Sequence, residues 1–502
     1  MKKLFFALLA FLFATGALLA QKTFFRRFDS GLQQNDRGWS LYPDSNGYTL
    51  VTLLSCDGTG SGLCMGIGKF GLDGELLGVR RYEGLRNCPN CICGTSDGNY
   101  VLAGDTESAS GDTVIFVMKI DQNGDSLWLK YYDSPHSNYA RSINVLPDGD
   151  LVIEGDGWPR GRRPEPHKTV IKTDSSGQVK WHKDYVDSFR LAQYGRLTPL
   201  RSGELLLCYD AWTWESSRPY CVMAKLDAGG KPIWSKKYFK DLEASPQHVF
   251  ELPSGHYLLI GSVDSFIPQA GPVTLQLVLT DTAGNKILEK ALYNGHTHAY
   301  LNNIVAAPDG NFIGAGGHFW QEGDTTAAWL LKFTPDGTVL WERSFLRQTD
   351  GLPFWFEDVR NAPVSGIAVS GAVVDKLQNG QYADADAFIM VLDQNGCLQT
   401  GTVCSTNIQH ITALNAVGTT EKQLPFEILP NPVSNLLQLQ RHFSGNAWVI
   451  VTDALGQTIL QTTIDPLQQW SEWDVSHWPN GCYFVTVADH NTRYSKAFIL
   501  QK

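Results

Sequence analysis

The segment Lys22–Ser30, KTFFRRFDS, decides how this chain is read. Aromatic and basic strings of the same kind close a repeated unit four times further on: WLKYYDS (128–134), WHKDYVDS (181–188), WSKKYFKD (234–241) and WERSFLRQ (341–348). A string that elsewhere ends a unit therefore stands here ahead of the first unit. The arrangement makes sense if the units form a circle.

Each closing string is the second half of a longer motif: an apolar run, a glycine turn and an aromatic run, as in VMKIDQNGDSLWLKYY (117–132) and VIKTDSSGQVKWHKDY (170–185). Strong and weak copies together place turn glycines at Gly74, Gly124, Gly177, Gly230, Gly284, Gly337 and Gly396, spaced 50 to 59 residues apart. A second string lies between successive copies, as in TSDGNYVLAG (95–104) and LPSGHYLLIG (252–261), with glycines at Gly47, Gly98, Gly149, Gly203, Gly255, Gly310 and Gly366. Each string reads as two short strands around a tight turn, because Asp-Gly, Asn-Gly and Ser-Gly supply the positive φ that hairpin turns need. A unit is thus four antiparallel strands, a to d, and there are seven units. Radial repetition of such units predicts an all-β, seven-bladed β-propeller over residues 22–404. The seventh unit, FIMVLDQNG (388–396), runs into CLQTGTVC without an aromatic strand d. Lys22–Ser30 supplies that strand, and two exposed sheet edges vanish. Trp128, Trp181, Trp234 and Trp341 recur at one position of strand d and read as filling between blades.

Composition agrees. The 48 Gly against 5 Met and the 15 Trp, 18 Tyr and 24 Phe describe a turn-rich β protein with ample core-forming residues. A formal charge of −10 excludes a nucleic-acid binder, which needs a basic surface to replace counterions on phosphates. Residues 1–20, MKKLFFALLAFLFATGALLA, have the basic start, apolar stretch and small-residue end of a signal peptide cut near Ala20. No cysteine follows to carry a lipid, and no later segment is apolar enough to span a bilayer. Ten cysteines in an exported chain are disulfide candidates. Cys56 with Cys64, Cys208 with Cys221, and Cys397 with Cys404 each close a short loop between neighbouring strands. Cys88, Cys91 and Cys93 in NCPNCIC lack the fourth ligand of a zinc site.

The two faces of the ring differ. The a–b and c–d turns on one face are short and uniform. The opposite loops are long and aromatic: 155–168, 209–220, 293–303, 316–328 and 348–360. Rigidly held loops of this kind carry binding, so Trp158, Trp212, Trp214, Trp320 and Trp355 are the candidate ligand contacts, stacking on apolar faces such as those of sugar rings. The alternative is that these rings fold back over their own loops. His296, His298 and His318 lie on the same face, and Asp384 and Asp386 only faintly evoke calcium; no metal and no cofactor is expected. No catalytic glycine-serine, zinc-protease or phosphate-loop motif occurs, and no carboxylate pair stands out.

The turn pattern D-x-x-G-x-x-x-W, as in Asp227, Gly230 and Trp234, is similar to but distinct from the sialidase Asp-box and the quinoprotein dehydrogenase repeat. The repeats as a whole resemble those of large secreted propeller proteins of Bacteroidota, which implies the fold and little chemistry. A polar linker, 405–425, precedes residues 426–502, whose alternating apolar strands read as a small antiparallel sandwich. This last stretch resembles the type A C-terminal sorting domain of type IX secretion, on Pro430, Asn431, Pro432, the Asp453–Gly456 turn, Gly481, Tyr483 and Lys496. The resemblance implies transfer across the outer membrane, with the secretion machinery and its sortase as partners and a secreted or surface-attached product. For the propeller the expectation is a non-enzymatic binding module for a polysaccharide or a surface protein. A glycan-active hydrolase or lyase and a structural surface component are the alternatives.

Overall fold

The computed structural model describes residues 23–29, 36–55, 63–82, 84–85, 91–108, 111–132, 136–159, 167–185, 195–211, 220–239, 243–264, 274–293, 299–320, 325–347, 352–378, 381–398, 408–411, 416–418, 426–429, 433–441, 447–453, 457–464, 470–488 and 493–500. Seven antiparallel sheets follow one another along the chain, each with its four strands paired in order from a to d. The innermost strands a are Arg37–Asp44, Cys91–Gly94, His136–Val145, Gly195–Pro199, Glu243–Glu251, Ala299–Ala306 and Phe354–Asn361. Each touches the next, and the seventh touches the first, so the ring is closed around a channel. No helix among the described residues is long and apolar enough to cross a membrane.

Closure is made by the N-terminal strand. Phe24–Asp29 pairs antiparallel with strand c of blade 7, Phe24 opposite Val391 and Phe28 opposite Ala387. Phe24 and Phe28 are buried with Leu41, Tyr48 and Phe70 of blade 1 and Ile389 and Val391 of blade 7. Phe25 points the other way, onto Phe354 and Phe388.

The repeat motif has a single mechanical meaning. At each c–d turn the glycine takes a φ between 73° and 83°, a left-handed conformation that side chains resist. In five of the seven turns an opening aspartate (Asp121, Asp174, Asp227, Asp281, Asp393) accepts the backbone N–H groups two and four residues on, as Asp227 does from Gly229 (2.9 Å) and Lys231 (2.8 Å). These carboxylates are consumed by the turn and are not calcium ligands in waiting. The indole of one blade then covers the turn glycine of the next: a Cβ on Gly230 would stand 2.8 Å from Trp181, one on Gly284 2.9 Å from Trp234, and one on Gly396 2.9 Å from Trp341. Tyr132, Tyr185 and Tyr238 donate their hydroxyls to the carbonyls of Gly177, Gly230 and Gly284 at 2.9, 2.6 and 2.6 Å. The N-terminal strand obeys the same rule. Phe24 covers Gly74 of blade 1, and Arg26 Nε donates to the Gly74 carbonyl at 3.0 Å.

Three features depart from the sequence-based expectation. Part of the 405–425 linker is strand: Ile408–Ile411 pairs parallel with strand d of blade 6, and Ala416–Gly418 pairs parallel with the closing strand at Arg27–Asp29. Cys208 and Cys221 are buried free thiols rather than a disulfide; the register sets Cys208 opposite Met223 and Cys221 opposite Asp210, so the two are only diagonal neighbours. Cys91 and Cys93 are also free. Cys64 and Cys397 are disulfide-bonded, while Cys56, Cys88 and Cys404 lie outside the described residues. Finally, Trp355 is only 6% exposed and belongs to a strand.

The C-terminal part is a sandwich of its own. A three-stranded sheet (Phe426–Leu429, Leu436–Arg441, Trp470–Asp474) and a four-stranded sheet (Ala447–Asp453, Thr458–Ile464, Gly481–Ala488, Arg493–Leu500) share a core of Ile428, Leu437, Leu439, Val449, Val451, Val485 and Phe498. Tyr483 is buried there, stacked on Phe498, with its hydroxyl on the Pro479 carbonyl at 2.7 Å. Gly481 opens its strand, and Lys496 lies opposite Val485. Pro430, Asn431, Pro432 and Gly456 lie outside the described residues.

Candidate functional site

The innermost strands are not regular. In blades 1, 3, 5, 6 and 7 strand a carries one extra residue against strand b, a β-bulge, at Trp39, Arg141, Gln247, Asn302 and Glu357. The bulges occur at matching places near the middle of the innermost strands. A bulge re-aims its side chain and interrupts the ladder. Five blades thereby present one re-aimed side chain each at one level of the innermost strands, and all five are half-buried.

In blades 3, 5, 6 and 7 a glycine on strand b accompanies the bulge, whereas in blade 1 Thr52 and Val51 face it. A Cβ on Gly155, Gly316 or Gly371 would collide with the carbonyl of Tyr139, Tyr300 or Trp355, and one on Gly261 would stand 3.1 Å from the Ser245 carbonyl. These glycines close the repeated strings LPDGDLVIEG, APDGNFIGAG, PVSGIAVSG and LPSGHYLLIG. That terminal glycine was the sequence signal for the site, and a strand reading alone passes over it.

On the blade 7 side the chemistry centres on Glu357. Its carboxylate accepts Trp355 Nε1 at 2.7 Å and Asn302 Nδ2 at 3.2 Å, and Asn302 also donates to the Phe356 carbonyl at 2.8 Å. Burial pushes the Glu357 carboxyl above the usual carboxylate range, partly offset by the Trp355 hydrogen bond and by Arg37. Arg37 lies between two indoles, 5.7 Å from the centre of the Trp39 ring and 5.4 Å from that of Trp355. Asp358, next along, is fully engaged: it takes Ser40 Oγ (3.1 Å), the Leu41 N–H (2.8 Å), Asn303 Nδ2 and Arg360 Nη2 (3.1 Å).

Blade 3 carries a buried charge network. Lys168, 0% exposed, bridges Glu154 (2.6 Å) and Asp156. Arg141 Nε reaches Asp156 Oδ2 at 2.6 Å, and Ser142 Oγ donates to Glu154 at 3.1 Å. Burial alone would pull the Lys168 ammonium down, but Asp156 and Glu154 outweigh it and hold it well above its ordinary value. Two acids and two bases balance, and Arg141 is held with its side chain 35% exposed.

The sequence-predicted contacts divide. Trp158, at the end of strand b of blade 3, is half-buried opposite Ser137. Trp355 is the floor under Arg37 and not an exposed loop ring. Trp320 ends strand b of blade 6, paired with Thr325, and Trp212 and Trp214 lie outside the described residues. His318 is buried, with Nε2 2.8 Å from Ser344 Oγ and the ring edge-on to Trp329. His296 and His298 lie outside the described residues. Asp386 is buried and ion-paired with Arg27 of the closing strand, and Asp384 pairs by its backbone with Lys376. Among the described residues no group of three His, Cys, Asp or Glu could hold a metal ion.

Comparison with known proteins bears first on the C-terminal domain. Residues 427–501 match the family of secretion system C-terminal sorting domains, the type IX sorting signal, so the chain is directed to the cell surface or the extracellular space. No curated protein matches the chain. Among solved structures, an ulvan lyase described as a polysaccharide lyase has a TM-score of 0.45 at 8% identity, over 77% of this chain and 97% of that one. An α-L-arabinofuranosidase from Fusarium graminearum gives 0.43 at 12%, over 61% and 93%. A protein of unknown function from Dyadobacter fermentans gives 0.41 at 13%, over 60% and 93%. At these values the likenesses add nothing to the strand pairing, on which the propeller rests.

Proposed function

We propose that the exported propeller is a non-enzymatic binding module for a polysaccharide, engaged by the bulge residues of the innermost strands. The observation that carries the reading is the set of five half-buried side chains at matching bulges of five innermost strands. Their chemistry suits a sugar. Gln247, Asn302, Arg141 and Glu357 offer fixed donors and acceptors for hydroxyls, and Trp39 offers an apolar face. The long loops, with Trp158, Trp212, Trp214 and Trp320, extend the surface along a chain of sugars. The sorting domain delivers this module through the type IX machinery, and a sortase removes it.

Binding is favoured over cleavage because glycoside hydrolysis needs two free carboxyl groups facing one bond. Among the described residues Asp156 and Asp358 are tied up in ion pairs, whereas Glu357 has a raised proton affinity. That acid is also what favours the second reading, a glycan-active enzyme. One experiment addresses both. The full chain is titrated against a panel of polysaccharides, with product analysis of each mixture, and the Gln247→Ala, Asn302→Ala double variant is run beside it. Saturable binding weakened about tenfold or more in the variant is expected, one to two net hydrogen bonds being lost. Released oligosaccharide would transfer the case to the enzyme, and no binding to any polysaccharide would end the glycan reading.

A further inference from the structure

Arginines inside this ring end on a hydrogen-bond acceptor. Arg27, Arg80, Arg141 and Arg360 reach a carboxylate, and Arg26, Arg196, Arg343 and Arg347 reach a backbone carbonyl. Arg37 does not: among the described residues no carboxylate pairs with it and no acceptor takes its N–H groups. What holds it is stacking, with its guanidinium between Trp39 of its own blade and Trp355 of blade 7. Cation–π contact uses the charge and leaves the N–H donors of the fork available. The side chain is half-buried, so part of it remains open to solvent. A second group beside it is also unanswered: Trp39 Nε1 is buried with no acceptor among the described residues. A cation held against two indoles with its N–H groups unpaired among the described residues is the complement of a small planar or tetrahedral anion.

We infer that Arg37 receives an anionic substituent of the polysaccharide, the carboxylate of a uronic acid or a sulfate ester, and that the ligand is therefore an acidic polymer. The inference rests on the polysaccharide reading above and names its class. The guanidinium forms two parallel hydrogen bonds to the anion. Glu357 lies within electrostatic reach of Arg37, and its oxygens take hydrogen bonds from Trp355 and Asn302.

The test uses calorimetric titration of the full chain with carboxylated polymers (polygalacturonate, alginate, hyaluronate), sulfated polymers (dextran sulfate, chondroitin sulfate) and neutral ones (dextran, galactan). The wild type is expected to bind an acidic polymer, with the carboxylate and sulfate arms identifying the anion. Arg37→Gln is expected to weaken that binding about 10- to 100-fold, as for loss of a charge-assisted pair, with Arg37→Lys between the two. Should Arg37→Gln not fold, the wild type is titrated with the same polymer after chemical reduction of its carboxylates or removal of its sulfates, and the same loss is expected. Equal affinity for the neutralised polymer, equal affinity of Arg37→Gln, or binding to neutral polymers alone would each overturn the inference. The last result leaves the polysaccharide reading standing. No binding to any polymer removes both.

Discussion

Lys168 shows how much of the site depends on single side chains. It is sealed from solvent in blade 3 with two carboxylates within ion-pair reach, and one of those, Asp156, also holds Arg141. Replacing Lys168 with Met keeps the apolar stem and removes the charge. Glu154 and Asp156 are then two buried acids sharing one cation. The cost of breaking such a pair is about 3–5 kcal/mol, and urea unfolding of Lys168→Met is expected to show it; a change below about 1 kcal/mol would mean that water already reaches the network. The same variant is expected to loosen Arg141, so binding should weaken along with stability. At this scale the sequence told little. Lys168 falls at the end of a loop between prolines, Glu154 and Asp156 look like ordinary alternation in a strand, and only the pairing of Asp156 with Lys168 brings them together.

Among the elements, the closing strand carries the most weight. Phe28 is 1% exposed between blades 7 and 1, and Arg27 beside it pairs with buried Asp386. Phe28→Ala is expected to cost about 3–5 kcal/mol, the range for truncating a buried phenylalanine, measured as a shift of the urea midpoint. A value near zero would mean that the ring holds without this strand. What could be read beforehand follows a physical division. Turn glycines and the aromatics that cover them are fixed by side-chain size and by φ, so Gly230 and Trp181 announce themselves, and with them the seven blades. The strands at Ile408–Ile411 and Ala416–Gly418 pair through backbone groups that every residue has, so a polar Asn- and Thr-rich linker gave no hint of them. The bulges fell between these cases. Their glycines were visible, but a glycine closing a strand says nothing of bulging until Gly371 is seen against the Trp355 carbonyl.

The whole molecule joins an address to a scaffold. The sorting domain matches its family over residues 427–501 and directs export. The propeller is a closed ring in which packing is repetitive and chemistry is not: Trp, Arg, Gln, Asn and Glu occupy equivalent bulges in five blades. Repetition serves stability, and variation at one level of the channel is what a ligand without sevenfold symmetry requires. The most direct measurement is hydrogen–deuterium exchange of the full chain with and without a bound polysaccharide. Protection is predicted in peptides covering Trp39, Arg141, Gln247, Asn302 and Glu357, all on innermost strands, with the c–d turns at Gly177, Gly230 and Gly284 unchanged. Protection confined to those turns or to the outer strands, with the five bulges unaffected, would contradict the account.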